Sequence, residues 1–311
     1  MRLVGSLATR GRPQKLLETL ATDLRCLSQS DTALMVQVDE DDPQTVMTLS
    51  NVLLDKRVIV NVKPREDTIA AKWNRALQEP ADVYVLKGDD DPFVTPETDG
   101  RILAAASLFP DGIGMVYGHL ANASFAGIIG FSRKFADLMG YLQPEYFPYW
   151  FCDHWTDDIG RIVGRIAHAD VRTDQSNVGQ TQELREPAWW ATWFDACRMA
   201  RREMAKKVLD ATDDPAWRKN MQYSAAPLVE YRSKWINDNV RLNARQLEWT
   251  SVSQSQYPLG AMMKDERYLR TKKRAMDLLP SMLVGMPEVE ARQYIEVLTP
   301  PTTIAALPVA I

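Results

Sequence analysis

Over the first 135 residues, short apolar runs alternate with segments in which apolar residues recur every three or four positions. The short runs are typical of buried strands, and the longer segments of helices that lay one face on a sheet. We predict strands at 2–7, 33–38, 57–62, 82–87, 113–118 and 124–131. Helices are predicted at 13–27 and 66–78, and a short one from Ser132 to about Met139. The alternation favours an α/β fold with a mostly parallel sheet flanked by helices.

The pattern changes in the second half of the chain. An aromatic stretch occupies residues 146–155, and from about residue 185 the periodicity is almost entirely helical. One broad apolar stripe, typical of core packing, contains Trp189, Trp190 and Trp193. The last dozen residues are rich in proline, which predicts an extended tail. We therefore predict a first domain at 1–184 and a helical C-terminal extension at 185–311.

Composition is that of an ordinary globular protein, with 311 residues, 45% hydrophobic residues and a net charge of −4. Three widely spaced cysteines, Cys26, Cys152 and Cys197, offer neither a disulfide framework nor a paired-cysteine zinc site. A reducing compartment is therefore favoured. No apolar run approaches the ~20 residues that span a bilayer. We expect a soluble, cytoplasmic protein without a membrane segment.

The strongest chemical feature is an acidic turn, Gly88-Asp89-Asp90-Asp91-Pro92, which directly follows the strand predicted at 82–87. Ligands of open α/β sheets bind outside the carboxyl ends of the strands. Three adjacent carboxylates repel one another unless a cation or hydrogen-bond donors compensate. Hard oxygen ligands suit Mn²⁺ or Mg²⁺, with substrate phosphates completing the shell. The alternative is a polar turn in which an Asp caps a helix that begins near Pro96.

A second acidic group, residues 39–42, follows the strand at 33–38. Asp42 precedes Pro43 and is predicted to cap a helix. Asp39 instead ends the strand, where a carboxylate can accept hydrogen bonds from a nucleobase or ribose.

The loop 8–13 after the first strand carries two arginines, Arg10 and Arg12, and leads into a predicted helix N-terminus. The helix dipole and the guanidinium groups both favour anions, so the loop suits a nucleotide or its phosphates. A solvated basic turn is the alternative.

The order of these features resembles the nucleotide-binding half of GT-A glycosyltransferases of the family-2 type, which are nucleotide-diphospho-sugar transferases. Its parts are a strand before Thr9-Arg10-Gly11-Arg12-Pro13, a strand that ends in Asp39, a helix with Trp73-Asn74-Arg75, and the acidic turn. The resemblance covers roughly residues 1–170. It implies a GT-A (Rossmann-like) fold in which 1–184 bind a nucleotide-sugar and catalyse transfer, while the helical extension is a candidate acceptor-binding part.

The resemblance also implies roles for single residues. Thr9 and Arg12 would line the nucleotide pocket, and Asp39 would contact the base. The residues that would border the base or the diphosphate are Lys63, Lys72 and Asn74.

The D-x-D motif of the family, which holds Mn²⁺ or Mg²⁺ against the diphosphate, corresponds to Asp89 and Asp91. Family members commonly place the first Asp straight after the apolar strand, whereas Lys87 and Gly88 intervene here. Which two of the three carboxylates, Asp90 included, bind the metal therefore stays open.

Two further roles fall in residues after 150. In inverting family-2 enzymes an acidic residue acts as general base on the acceptor hydroxyl. We predict Asp153, which lies in the aromatic stretch that could stack on an acceptor ring, with Asp157 as the second choice. A capped amphipathic helix start is the alternative. His168 is a candidate to complete the metal shell and Asp174 competes with it, although a single His is more often structural.

The preferred hypothesis is a metal-dependent, inverting transfer from a UDP-sugar to a hydroxyl acceptor. A nucleotidyltransferase would carry a longer Gly-rich first loop with a lysine, which Gly11 alone matches poorly. The sequence is also compatible with a viral-type sugar transferase that modifies a DNA base and with a non-catalytic nucleic-acid-binding or scaffold protein. The basic clusters at 198–207 and 272–274 suit a polyanion but also a solvated helix face. The acceptor stays open among glycan, small molecule and modified DNA.

Overall fold

The computed structural model describes residues 1–120, 123–148, 151–174, 187–213 and 266–299. Two features of the sequence lie outside these residues: the aromatic rings of Tyr149 and Trp150, and the predicted tail of the last dozen residues. The described residues form two compact units. The first contains Met1–Leu142 and the strand that follows Arg165. The second contains Gln143–Gly164 and the helical segments from Pro187 onward.

The first unit is built around one sheet. Its strands are β1 (Leu3–Ala8), β2 (Ala33–Asp39), β3 (Val58–Lys63), β4 (Val83–Gly88), β5 (Met115–Leu120), β6 (Ala123–Ser132) and β7 (Ile166–Thr173). They lie in the order β3-β2-β1-β4-β6-β5-β7. β6 runs antiparallel to β4 and β5, and the remaining neighbours pair in parallel. β1, β2 and β4 are buried along nearly their whole length, as expected of central strands covered on both faces.

In the described part of the chain five α-helices accompany the sheet, and local sequence explains where several of them begin. They are α1 (Pro13–Cys26), α2 (Pro43–Ser50), α3 (Ile69–Asn74), α4 (Thr98–Ala106) and α5 (Arg133–Met139). Pro13 begins α1 and Pro43 begins α2, and at a first helical position the missing N–H of proline costs no hydrogen bond. Ser132 caps α5 by accepting a hydrogen bond from the N–H of Phe135, and Gly140, with φ of 81°, ends it.

The second unit is helical and has an aromatic core. Its helices are α6 (Cys152–Ile162), α7 (Pro187–Ala196), α8 (Arg198–Asp210), α9 (Glu266–Met282) and α10 (Glu288–Leu298). α7 packs against α8, α9 and α10, and α6 packs against α8. The indole of Trp193 is buried and donates to the carbonyl of Ala275 at 3.0 Å. The Trp stripe is thus core, as predicted. None of the described helices has the length and apolarity that crossing a bilayer requires.

The predicted fold class is confirmed, and the six predicted strands are present within two residues of their predicted bounds. The helix predicted at 66–78 is shorter, because α3 passes into a 3₁₀ turn at Arg75–Gln78. β7 was not predicted. Its residues alternate between buried and exposed, a period-two pattern that the sequence also shows.

The division of the chain differs from the predicted boundary at 184. Residues 143–164 group with the helices and not with the sheet. The cause is aromatic packing: the ring centroid of Phe147 lies 5.2 Å from that of Trp193, and Trp155 stacks on Trp193 at 6.4 Å. These contacts place α6, with both predicted base residues, in the second unit.

Candidate functional site

Three of the predicted site segments meet at one edge of the sheet. β1 lies between β2 and β4. After β1 the chain forms β2 and β3 on one side of it and then returns to form β4 on the other side. Open α/β sheets bind ligands at such a switch point, outside the carboxyl ends of the strands. Thr9 follows β1, Asp39 ends β2 and the acidic turn follows β4. The fold therefore brings these segments together as the sequence predicted.

Asp89 is buried at the base of the acidic turn, and both of its carboxylate oxygens are engaged. Thr9 Oγ1 donates to Oδ2 at 2.7 Å, and Arg12 Nη2 donates to Oδ1. Arg12 Nη1 also donates to Asp90 Oδ2 at 2.9 Å. Burial raises the pKa of the Asp89 carboxyl above its usual range. One guanidinium thus bridges two carboxylates and offsets one of their two negative charges.

Asp91 is the carboxylate of the acidic turn with room for a further partner. Its Oδ1 is buried and has no hydrogen-bond partner within the described part of the chain. Burial, followed by the charge of Asp90, raises the pKa of Asp91 to about 6. A buried acceptor without a partner costs free energy unless a ligand or water satisfies it. Asp91 Oδ1 is therefore the acceptor of the turn that lacks a partner in the described residues, which makes Asp91 the first candidate for a cation ligand.

Gly88 allows the outer carboxylates of the turn to fold back over the end of β4. A Cβ at this position would lie 2.7 Å from Asp91 Oδ2 and 2.8 Å from Asp90 Oδ1, closer than real Cβ contacts. Any side chain here would displace both carboxylates. The absence of a side chain at position 88 thus leaves space for both carboxylates in these positions.

The second acidic group pins the arginine loop. Arg10 binds Asp41 through two hydrogen bonds of 2.5 and 3.0 Å and reaches Asp39 Oδ2 at 3.2 Å. Asp42 accepts from the backbone N–H of Gly11 at 2.7 Å and caps α2, as predicted. Both predicted arginines are therefore held by carboxylates, and each could exchange them for phosphate oxygens.

Lys72 lies buried between two loops. Its Nζ donates to the carbonyl of Thr9 and to Asp39 Oδ2, both at 2.7 Å. Burial lowers the pKa of this lysine. Its contacts tie the loop after β1 to the end of β2, so Lys72 holds the shape of the site.

The other two residues predicted to border the ligand differ in their surroundings. Lys63 ends β3 in register with Asp39 and is exposed, so its ammonium can meet an anion. The side-chain oxygen of Asn74 accepts from the backbone N–H of Leu142 at 2.9 Å, which commits that oxygen to the fold.

The sheet separates His168 from the acidic turn. His168 lies near the start of β7, about 14 Å from β4 across three strand spacings. It is exposed, and its ring stacks on that of His119 with centroids 6.1 Å apart. β7 then runs toward the turn, and the N–H of Asp174 donates to the carbonyl of Pro92 at 3.0 Å. The fold thus brings the competing candidate Asp174, and not His168, beside the acidic turn.

The candidate base Asp153 lies in the first turn of α6, in the second unit. Its Oδ1 accepts from His154 Nδ1 at 2.9 Å, and its side chain is 35% exposed. Burial would raise the pKa of Asp153, but the facing His154 outweighs it and holds the pKa below its usual range. Phe151, just before the helix, has a φ of 74°, which strains a residue with a side chain. Strain of this kind is common at functional sites.

Asp157 is one turn further along α6 and is buried. Both of its oxygens accept from Arg161 Nε, at 3.0 and 2.9 Å, so its carboxylate is already paired. Two rings of the aromatic stretch are not available for the predicted stacking on an acceptor. Phe147 and Trp155 are buried in the core of the second unit, where neither ring can stack on an acceptor.

Within the described residues, no group of three or more His, Cys, Asp or Glu side chains converges in a way that could hold a metal by itself. The oxygen-only chemistry of the acidic turn and the orphan oxygen of Asp91 fit a hard divalent cation. Such an ion would need substrate oxygens to complete its shell, as Mg²⁺ sites in phosphate enzymes commonly do.

The basic clusters lie on helices of the second unit. Lys206, Lys207 and Arg274 are exposed. Lys273 pairs with Asp277 at 3.2 Å along α9, which is typical of a solvated helix face.

Sequence reasoning missed two residues beneath the acidic turn. Thr19 and Asp23 are buried polar side chains of α1, and both bind the segment that follows β4. The sequence feature that could have identified them is their spacing of four residues, which places two polar side chains side by side next to the apolar stripe of this helix.

No family model matches the sequence, and no curated protein matches it. Among solved structures, S. aureus TarS 1-349 is 14% identical, with a TM-score of 0.51 over 96% of this chain and 89% of that chain. Its complex with UDP-GlcNAc is 13% identical with a TM-score of 0.53 over the same shares, and its complex with UDP gives 0.51 at 14% identity. At such identities the likeness concerns the fold. The chain therefore has a GT-A-like fold.

Proposed function

We propose that this protein is a glycosyltransferase that moves a sugar from a nucleoside-diphosphate sugar, a UDP-sugar foremost, to a hydroxyl acceptor, with Mn²⁺ or Mg²⁺ and inversion. The observation that carries the proposal is the acidic turn at the switch point of the sheet, where Asp91 Oδ1 meets no hydrogen-bond donor of the described residues. The GT-A-like fold supports it. The intact acidic turn speaks against a non-catalytic scaffold.

The two loop arginines fit a diphosphate. Arg12 is held by Asp89 and Asp90, and Arg10 by Asp41 and Asp39. Guanidinium groups bind phosphate oxygens through paired hydrogen bonds, so both can exchange a carboxylate for the donor. Donor binding would thus free the acidic turn at the moment when the diphosphate arrives.

Asp91 is the side chain that would hold the cation, with Asp89 or Asp90 as the second carboxylate of the motif and substrate oxygens completing the shell. A bound divalent ion would neutralise the charge that grows on the leaving diphosphate. Arg10, Arg12 and Lys63 add fixed positive charge in the same region. Asp39, positioned by Lys72, would accept hydrogen bonds from the base or ribose.

Asp153 is the proposed general base. Its low pKa keeps the carboxylate ionised at neutral pH, and His154 orients it. Asp157 is the weaker candidate because Arg161 occupies both of its oxygens.

A thermal-shift screen tests the donor site. The purified protein is heated with UDP, GDP, ADP, TDP and CMP, each with and without Mn²⁺. We expect a Mn²⁺-dependent rise in Tm for one nucleotide that is lost in Asp91→Asn. The matched control is Asp137→Asn. Asp137 is an exposed carboxylate of α5 that pairs with Arg133 on the same helix. The absence of a shift with every nucleotide would overturn the proposal.

A further inference from the structure

One face of α1 grips the backbone of the segment 89–93. Thr19, Asp23 and Cys26 are spaced by four and three residues, so they lie on the same side of the helix. Thr19 Oγ1 donates to the carbonyl of Asp89 at 2.7 Å. Asp23 Oδ1 accepts from the N–H of Phe93 at 2.7 Å, and the thiol of Cys26 donates to the carbonyl of Phe93 at 3.3 Å. The helix therefore holds this segment at both ends.

The buried ion pair between Lys87 and Asp23 contacts the middle of the segment 89–93. Lys87 Nζ lies 3.0 Å from Asp23 Oδ1 and donates to the carbonyl of Asp91 at 2.5 Å. The same ammonium lies 3.4 Å from the centroid of the Phe93 ring. Both charged side chains are almost completely buried. Removing two charges from water is costly, and a well-packed apolar pair is often at least as stable. Stability alone therefore gives no reason for this pair at this place.

We propose that Asp23 and Lys87 are positioning residues of the donor site, and that α1 holds the backbone of the acidic turn in its cation-binding shape before any ligand binds. This inference rests on the proposed function.

Different residues hold the backbone and the carboxylates of the acidic turn. Thr19, Asp23 and Lys87 fix the main chain of the turn, whereas Arg12 holds the carboxylates of Asp89 and Asp90. The carboxylates can then exchange Arg12 for a cation and diphosphate while the main chain stays in place. A main chain fixed in advance reduces the ordering that ligand binding would otherwise require.

Two sets of variants separate positioning from folding. The double variant Asp23→Leu/Lys87→Met removes both charges, so it avoids leaving one buried charge alone. Lys87→Met keeps a similar volume, whereas Asp23→Leu adds volume at a buried position. Thr19→Val removes a single tie without changing the shape of the side chain, and Thr19→Ser keeps the hydroxyl as the conservative control. Denaturant unfolding identifies the variants that remain folded.

Hydrogen exchange of the unliganded proteins is measured for peptides that cover 88–94 and, as internal reference, for peptides of β1 and β2. UDP and GDP are then titrated with Mn²⁺ by calorimetry. In the double variant we expect at least about tenfold faster exchange at 88–94 with unchanged strands, and about tenfold weaker nucleotide binding. Thr19→Val should weaken binding by about threefold and Thr19→Ser by less than about twofold.

Each combination of results has a defined meaning. Wild-type exchange at 88–94 in the double variant overturns the proposal, because the ties would then not hold the turn. Faster exchange with wild-type affinity also overturns it, because the ties would then not matter for binding. If the wild-type protein binds none of the five nucleotides of the thermal-shift screen, the proposed function fails, and the exchange of 88–94 alone still decides whether α1 holds the turn.

Discussion

Thr9 Oγ1 donates a 2.7 Å hydrogen bond to Asp89 Oδ2, which joins the loop after β1 to the turn after β4. The two strands are neighbours in the sheet, so the bond crosses the switch point itself. Asp89 is buried and its pKa is raised by burial, so the hydroxyl stabilises a charge that has little access to water.

Removing this hydroxyl should weaken both the fold and the site. We expect Thr9→Val to lower the free energy of unfolding by about 1–3 kcal/mol, because a buried carboxylate loses a donor. Urea unfolding at pH 7 measures the change. Thr9→Ser, which keeps the hydroxyl, should stay close to the wild type. Equal stability of the Val and Ser variants would show that the bond contributes nothing.

Asp91→Asn should stabilise the unliganded protein at neutral pH. The pKa of Asp91 is raised to about 6 in the fold, so the folded state favours the protonated carboxyl. Its stabilising contribution is complete below the unfolded pKa of about 3.9 and is lost as the pH rises through about 6. At pH 8 the wild type therefore carries a penalty, on the order of 1–3 kcal/mol, that the amide avoids.

Urea unfolding at pH 4 and pH 8 measures this difference. The gain of Asp91→Asn over the wild type should be largest at pH 8 and small at pH 4. The same variant should lose Mn²⁺-dependent nucleotide binding, so stability and binding change in opposite directions. A variant less stable than the wild type at pH 8 would contradict the assignment of a strained, buried carboxylate.

Arg12→Met should have opposite effects on the metal and on the nucleotide. Without the guanidinium, Asp89 and Asp90 lose their compensating cation, so Mn²⁺ alone should bind more tightly than to the wild type. Nucleotide binding in the presence of Mn²⁺ should weaken, because a phosphate ligand is lost. Calorimetric titrations of Mn²⁺ and of UDP with Mn²⁺ measure the two affinities. Arg292→Met, which changes an exposed arginine that pairs with Glu288 along α10, serves as control.

Asp99 should contribute to the acid sensitivity of the fold. It is buried and accepts hydrogen bonds from the N–H groups of Ser28 and Gln29 and from the hydroxyl of Thr32. Burial would raise the pKa of Asp99, but these bonds together hold it below its usual range. Its contribution is present above the unfolded pKa of about 3.9 and is lost as the pH falls through the lower folded value.

Asp99→Asn should therefore lower the free energy of unfolding by about 2–3 kcal/mol at pH 7, because an amide accepts fewer of these bonds. The difference from the wild type should shrink toward pH 3. Unfolding curves at the two pH values provide the measurement, and a difference independent of pH would show that the charge of Asp99 is not the cause.

The two candidate bases should separate kinetically once a donor is known. Asp153→Asn should lower kcat by at least about a hundredfold, because it removes the group that accepts the acceptor proton, with little change in donor affinity. Asp157→Asn should mainly affect stability, since its carboxylate is paired with Arg161. Transfer kinetics and donor titrations on both variants distinguish the cases, and the reverse ranking would make Asp157 the base.

The sequence by itself determined the parts that depend on local pattern. Buried apolar runs and helical periodicity fixed six strands and the character of the second half, and Pro43 with Asp42 fixed the start of α2. The acidic turn, the arginine loop and Asp39 were recognisable because each follows a strand, and parallel strands carry their carboxyl ends to one edge.

Only the tertiary structure decided which side chains meet. Asp23 resembles a surface acid of an amphipathic helix, yet it is buried against Lys87 across 64 residues of sequence. The segment after β4 reaches the end of β7, where the N–H of Asp174 bonds to Pro92, whereas His168 lies near the start of that strand. Aromatic packing drew α6 into the helical unit. Such contacts depend on strand order and burial, which periodicity does not encode.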